Sequence, residues 1–430
     1  MHDFLYRQGE MHCENVAIER IAKEVGTPCY IYSHHTLVQH YRAFDGAFHS
    51  VPHIIAFAMK ANSNLAILRL MAREGSGADI VSGGELYRAL KAGISPAKTV
   101  FAGVGKTREE IRYALQTDIL MFNVESSAEL RAIDEVAAEM GRRARVALRI
   151  NPDIDPKTHP YISTGLKKSK FGFSADRALE EFKLASSLPH IEVVGVHKHI
   201  GSQLTEVAPF VEALKKILLL VEVLKSHGTD IRYINIGGGL GITYSDERPP
   251  RPQDLAEAIS PLVHDLKCVL IMEPGRVIVG NAGILVTRVL YTKQSEAKRF
   301  VIVDAAMNDL IRPSLYGAYH EIRPVREVPG AKTITADVVG PVCESGDFLA
   351  KDREMPEARP GDLLAVMYGE GATKLSDADR AKIMQELHLS DPLYQQYLRW
   401  MKDLASGKLG ASFFRGDSVA DLILRRGPLS

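Results

Sequence analysis

"IIAFAMKANSNLAILRLMAREG" (54–75) sets the pattern for most of this chain: a short apolar run, a lysine, a small polar turn and an amphipathic helix. The run IIAFAM (54–59) has the length of a buried strand, and the apolar residues of NLAILRLMAREG recur at three and four, the helical spacing. Between them Lys60 holds an amine at the strand's end. An ammonium desolvated there and titrating low would be a nucleophile toward carbonyls. Most lysines at strand ends turn their charge to water instead. The neighbouring units decide between the two.

The same unit repeats along the sequence. Strand candidates follow at ADIV (78–81), TVFAG (99–103), ILMF (119–122), RVALRI (145–150), EVVGVHKH (192–199), IRYINI (231–236) and CVLIME (268–273). Helical patterns such as GGELYRALKAG, TREEIRYALQ, SSAELRAIDEVAAEM and VAPFVEALKKILLLVEVLKSHG lie between them. This alternation fills a length suited to a closed (β/α)8 barrel, with a doubly wound open sheet as the competing architecture. Lys60, Asp79, Asn123, Arg149, His199, Gly237 to Gly239 and Glu273 all fall at or just after strand C-terminal ends. In a barrel they converge on one mouth, whereas in an open sheet the outer ones diverge, so the barrel is favoured. From 281 onward GILVTRVLYTK, RFVIVDA and TITADVVG read as strands. With CYIYS (29–33) they suggest an all-β domain assembled from both chain ends. The expected organisation is 1–34 in the β domain, 35–280 in the barrel, 281–367 returning to the β domain without completing it, and 368–430 as a separate tail.

Composition limits the partners. A formal net charge of +0, from 53 basic and 53 acidic residues, argues against nucleic acid. The four cysteines form no CxxC, which suits a reducing compartment and excludes a cysteine zinc cluster. No apolar run reaches about 18 residues, and the N-terminal stretch resembles neither a signal nor a transit peptide. The expectation is a cytoplasmic protein with no membrane partner.

The chemistry concentrates in three places. INIGGGLG (234–241) is a strand ending in glycines that let backbone N–H groups approach an anion, most often a phosphate, without the helix spacing of a dinucleotide site. GSQ (201–203) and EPGR (273–276) are candidate further arms of that cradle. Period two places His197 and His199 on one strand face with Lys198 opposite. Two histidines could begin a metal site, yet no third ligand accompanies them, so no metal is assigned; a flat imidazole stacking on a planar cofactor is the other reading. A carboxylate at Glu273 could keep a ring nitrogen protonated. A lysine for an aldehyde, a cradle for a phosphate and an acid for a pyridinium describe a pyridoxal phosphate site.

With these pieces in view the chain resembles the alanine racemase-like, fold type III barrel enzymes, and among them the diaminopimelate decarboxylase family. The matching segments, in family order over roughly 5–366, are AFAMKANSN, GADIVSGGEL, FNVESSAEL, ALRINPDID with TGLKKSKFGF, VGVHKHIGSQ, INIGGGLGITY, IMEPGR, DAAMNDLIRPSLYGAYHEI and VVGPVCESGDFLA. The resemblance implies a pyridoxal 5'-phosphate-binding TIM barrel plus a β-sandwich or barrel-like domain, with Lys60 bonded covalently to the cofactor. It implies that His199 stacks on the ring, that Glu273 pairs with the ring nitrogen, and that Asp79 also lies against the cofactor. Ser202, Gly238, Gly239, Gly275 and Arg276 hold the phosphate in the same reading. Arg276, Arg312 and Tyr316 grip the distal end of the substrate, and Glu344 reads its distal amino group. Cys343 comes from the partner of a homodimer with shared active sites and is the candidate proton donor. The implied reaction takes meso-2,6-diaminopimelate to L-lysine and CO2, the last step of lysine biosynthesis.

Alternatives of other classes are a decarboxylase of ornithine, arginine or carboxynorspermidine, an amino acid racemase, and a weakly active or inactive cofactor-binding protein. Glu273 opposes the racemase, which usually pairs its ring nitrogen with arginine. Arg312 and Arg276 favour a substrate with a distal carboxylate. The last alternative arises because the family pattern stops after GDLLAVM: DADRAKIMQELH and PLYQQYLRWMKDLAS, with Trp400, read as amphipathic helices instead of closing strands. LSDPLYQQYLRWMKDLASGKLGASFFRGDSVADLILRR (389–426) resembles an extracytoplasmic segment of peptide-type transporter permeases, with a junction near 367–370. Tyr368 is not assigned the role of the family's cofactor-contacting tyrosine.

Overall fold

The computed structural model describes residues 2–154, 170–245 and 247–367. The expected helical tail, the permease-like stretch, the junction and Tyr368 lie outside the described residues, as does most of TGLKKSKFGF. Eight parallel strands are β1 (His53–Ala58), β2 (Gly77–Ile80), β3 (Thr99–Phe101), β4 (Met121–Val124), β5 (Ala144–Asn151), β6 (Ile191–His197), β7 (Tyr233–Asn235) and β8 (Val269–Met272). Each pairs with the next, and β8 pairs with β1, which closes the barrel. Every strand candidate of the alternating region therefore became a barrel strand, and the open sheet is excluded. Among the boundary differences, β4 is shifted at both ends and starts at Met121 rather than Ile119. The Ile119 N–H instead bonds back to the Ala114 carbonyl, still part of the preceding helix end.

Local chemistry sets where the helices begin. Asn64, Ser82, Thr107 and Ser126 each accept a backbone N–H of the first turn that follows, and Thr107 with Glu110 completes a capping box. Each cap lies in a loop after a strand, so the loop that carries functional side chains also starts the next helix.

Strand parity then sorts the side chains. Ile55, Phe57, Ala78, Ile80, Phe122, Val124, Leu148, Ile150, Ile234 and Leu270 pack outward into the barrel–helix core. Ala56, Val100, Met121, Ala147, Val194 and Ile271 form a separate apolar cluster that plugs the interior. Continuing the inward parity toward the C-terminal ends gives Asp79, Asn123, Arg149, Asn235 and Glu273, all buried. A register irregularity in β6 between Val193 and Gly195 brings His197 onto the same inward face. The barrel is thus apolar below and polar at its mouth.

The second sheet runs in the order Glu321–Pro324, Leu363–Met367, Gly283–Gln294, Arg299–Val303, Thr333–Val339, Phe348–Pro356, and Cys29–Tyr32 also pairs with Gly283–Gln294. Both ends of the described chain meet there, since Gly283 lies opposite Tyr32 and Leu285 opposite Val366. A small antiparallel sheet, Phe4–Arg7, Glu10–Cys13 and Val16–Ala17, was not legible beforehand. Its strands are too short to show a period, and its tight turns rest on positive φ at Gln8, Gly9 and Glu14. Among the described residues, no helix is long and apolar enough to cross a membrane.

Candidate active site

The barrel mouth opens into a cavity of about 420 Å³ lined by Lys60, His199, Ser202, Gly237 to Gly239, Glu273, Gly275, Arg276, Arg312 and Tyr316, among others. Lys60 follows β1 in a single turn of 3-10 helix, and its Nζ donates to Asp79 Oδ2 at 3.2 Å. The amine does not titrate low as its sequence position suggested. Asp79 raises its pKa and Glu273 raises it further, although the side chain itself is more than half exposed at the mouth. Lys60 is therefore held as an ammonium by two buried carboxylates. Burial and the nearby Glu273 carboxylate raise the pKa of Asp79, while Lys60 opposes that rise.

Glu273, only 5% exposed, ends β8. Its Oε1 accepts from Asn123 Nδ2 at 3.1 Å and Asn235 Nδ2 at 2.6 Å, and His197 Nε2 stands 3.6 Å from Oε2. Burial alone would raise its pKa, but His197 and Lys60 oppose burial and hold the carboxyl below the ordinary range. Glu273 is an anion at neutral pH. His199 is the opposite case: burial, with Arg149 and Lys60 adding repulsion, lowers its pKa well below the usual value, so its ring stays neutral. The His199 Nδ1 accepts from the Gly238 N–H at 3.3 Å, and its carbonyl accepts from Arg149 Nη2 at 3.3 Å. Arg149 is itself fixed by Glu125 at 2.8 Å in a buried ion pair and lies 4.6 Å over the Phe171 ring.

The glycines leave no room for side chains. A Cβ on Gly238 would lie 2.1 Å from the Glu273 carbonyl oxygen, and one on Gly239, whose φ is +121°, would lie 2.5 Å from that of Gly201. Across the cradle, Ser202 Oγ accepts from Arg276 Nε and Nη2 at 3.3 and 3.0 Å. A glycine backbone clear of side chains, an arginine and a hydroxyl suit a phosphate. A neutral imidazole, an anionic carboxylate and an amine suit the ring and aldehyde of pyridoxal phosphate, so the residues present fit that group.

Tyr244, which ends the INIGGGLGITY motif, had no assigned role. It hydrogen-bonds Arg276 through its hydroxyl, and its ring lies 4.7 Å from the Arg312 guanidinium carbon. A tyrosine five residues beyond Gly239 gives no sequence signal of such a role. Arg312 also lies 5.5 Å from the Tyr316 ring, so Tyr244 meets both arginines and Tyr316 meets Arg312 from a second side. Asn235 and His197 as partners of Glu273 were likewise missed; the alternation of Ile234 and Asn235 along β7 is the signal that could have pointed Asn235 inward. Cys343 and Glu344 are not brought to the cavity of their own chain. Both are exposed on the loop before Phe348–Pro356, where Glu344 Oε1 accepts the Gly346 N–H at 3.5 Å. No group of three or more His, Cys, Asp or Glu among the described residues is arranged to hold a metal ion.

Residues 34–280 match the family model described as "Pyridoxal-dependent decarboxylase, pyridoxal binding domain". Diaminopimelate decarboxylase of Aquifex aeolicus is 51% identical over 363 residues, covering 84% of this chain and 86% of that protein. The enzyme of the same name from Pseudomonas aeruginosa is 53% identical over 366 residues, covering 85% and 88%. The crystal structure of diaminopimelate decarboxylase from Helicobacter pylori complexed with L-lysine superposes with a TM-score of 0.78 at 45% identity, covering 84% of this chain and 91% of that one.

Proposed function

Because this chain belongs to the diaminopimelate decarboxylase family, we propose that its barrel mouth decarboxylates meso-2,6-diaminopimelate to L-lysine and CO2 with pyridoxal 5'-phosphate as cofactor. The observation that carries the reading is the convergence of Lys60–Asp79, the glycine cradle and Glu273 on one cavity whose rim holds Arg276 and Arg312. When bound, the cofactor supplies an aldehyde for an amine and a ring that accepts the electron pair left at Cα as CO2 departs.

The chain's own residues do the rest. Lys60 offers its amine once its proton has passed toward Asp79, the one acid within hydrogen-bonding reach of Nζ among the described residues. Glu273 places negative charge where a ring nitrogen must keep its proton, and the Asn123 and Asn235 amides hold it there. His199 offers a flat, uncharged face. Arg312, with Arg276 beside it, presents cations to the distal carboxylate, and this favours diaminopimelate over ornithine or another diamine precursor.

Breaking the Cα–carboxyl bond releases CO2 and leaves Cα one proton short. We assign that proton to the Cys343 thiol of a second copy of the chain, with the neighbouring carboxylate of Glu344 toward the distal amino group. Support comes from their exposure on a loop outside their own cavity. The enzyme is then a homodimer with shared sites. A cytoplasmic location accords with four unpaired cysteines.

The test is to reconstitute the protein with pyridoxal phosphate, reduce it with borohydride and map the label. A label on Lys60, lost in Lys60→Ala, supports the site; a label on another lysine rejects it. Faster release of labelled CO2 from ornithine than from diaminopimelate rejects the substrate.

A further inference from the structure

Three hydrogen bonds at the mouth of the barrel close a ring between Asn235, Gly237 and Glu273. The Gly237 N–H donates to Asn235 Oδ1 at 2.9 Å, Asn235 Nδ2 donates to Glu273 Oε1 at 2.6 Å, and the Glu273 N–H donates to the Gly237 carbonyl at 2.9 Å. The amide orientation of Asn235 follows from its partners. Turned over, it would set an NH2 against the Gly237 N–H and a carbonyl oxygen against a carboxylate, losing both bonds. Asn235 is wholly buried, and its neighbour in register on β8 is Ile271, two residues before Glu273. Strand pairing therefore fixes its backbone, and the ring fixes its side chain.

We propose that Asn235 is a positioning residue that sets the distance between the two ends of the cofactor site, tying the first glycine of the phosphate cradle to the carboxylate at the ring nitrogen. The inference rests on the assignment of Glu273 to the ring nitrogen and of Gly238 and Gly239, which Gly237 leads into, to the phosphate. Asn123 and His197 share only half of this role, since they meet the Glu273 carboxylate and have no bond to the cradle. Gly237 lies in the left-handed region at φ +68°, and a Cβ there would meet His199 Nδ1 at 2.6 Å. A shift of this glycine would therefore move the stacking histidine too. A ruler of this kind predicts that one substitution changes both ends of the site, while its neighbours change one.

Two measurements separate the ends. The ratio of affinities for pyridoxal phosphate and for pyridoxal, which lacks the phosphate, reports the cradle. The nitrogen-15 shift of ring-labelled cofactor reports the ring nitrogen. In Asn235→Ala the affinity ratio falls about tenfold, the equivalent of one lost hydrogen bond, and the nitrogen shift moves toward the unprotonated value. In Asn123→Ala the shift moves but the ratio stays native. Asn235→Asp keeps an acceptor for Gly237, so its ratio stays native. Its second oxygen meets Glu273 at a distance that requires a shared proton, so the nitrogen shift gains a pH titration absent from the native protein. Asn235→Ser serves for the ratio if the alanine variant does not fold. Equal loss of both ligands in Asn235→Ala or Asn235→Ser, or a pH-independent shift in Asn235→Asp, overturns the inference. Glu273→Gln is the control: if it leaves the shift unchanged, the assignment of Glu273 has failed; if it moves the shift while Asn235→Asp does not, only the role of Asn235 has.

Discussion

Lys198 lies between His197 and His199, on the opposite face of the strand, and is 0% exposed. Among the described residues its Nζ has no hydrogen-bond partner, and it lies 5.4 Å from the centre of the Phe210 ring. Its backbone is held by Asn235, whose carbonyl accepts the Lys198 N–H at 2.8 Å. His197 and His199 belong to the cavity side. On the helix Ala208–Ser226 that covers Lys198, Glu212 and Lys216 pair with each other at the surface. Burial is the sole cause shifting this amine, which falls from 10.5 to about 7. A depression of that size corresponds to about 5 kcal/mol. The unfolded chain keeps the proton up to about pH 10.4. The penalty is therefore full below about pH 7, shrinks as pH rises between the two values, and vanishes above both. Lys198→Met keeps a long flexible chain against Phe210 without the ionisable group, at a repacking cost under about 1.5 kcal/mol. The holo-protein should thus gain several kcal/mol at pH 6, less at pH 8.5 and nothing at pH 10.5, read from urea unfolding at each pH with the slope unchanged. A variant that is less stable at pH 6, or whose gain is the same at every pH, would show that the amine is solvated or paired, and the reasoning from burial would be wrong.

Two further outcomes follow from the proposed site. Arg312→Ala should raise KM for diaminopimelate with little change in kcat, because a distal carboxylate left unpaired costs about 2–5 kcal/mol; steady-state kinetics showing a native KM would remove Arg312 from substrate binding. Lys60→Ala and Cys343→Ala chains, each inactive alone, should recover about a quarter of native activity when dissociated and reassembled in equal amounts, since half of a random population is mixed dimer with one complete site. No recovery, with mixed dimers demonstrated by mass, would place both residues in one chain's site.

How far these features could be read in advance depends on whether they are local. The barrel strands were legible because each is an apolar run followed by a helix with its own cap, and a chain of parallel pairings adds nothing that changes their type. Lys60, the glycines and Glu273 were legible because strand ends on a barrel face the same way. The protonation of Lys60 was not, since an amine at a strand end is low or high according to what the neighbouring strands place beside it, and Asp79 comes from β2 and Glu273 from β8. Asn235 is harder still. Its inward parity shows only once the barrel is closed, an inward asparagine is equally a packing residue, and its function lies in accepting from Gly237 two residues on while donating to Glu273 across the sheet. The same distinction separates Lys198 from Lys60. Both follow apolar strand residues within a few positions of a histidine or a turn, yet one has two carboxylates across the barrel mouth and the other only an aromatic ring beneath a helix. The sequence specifies the lysine, whereas its charge is decided by residues that folding brings from elsewhere.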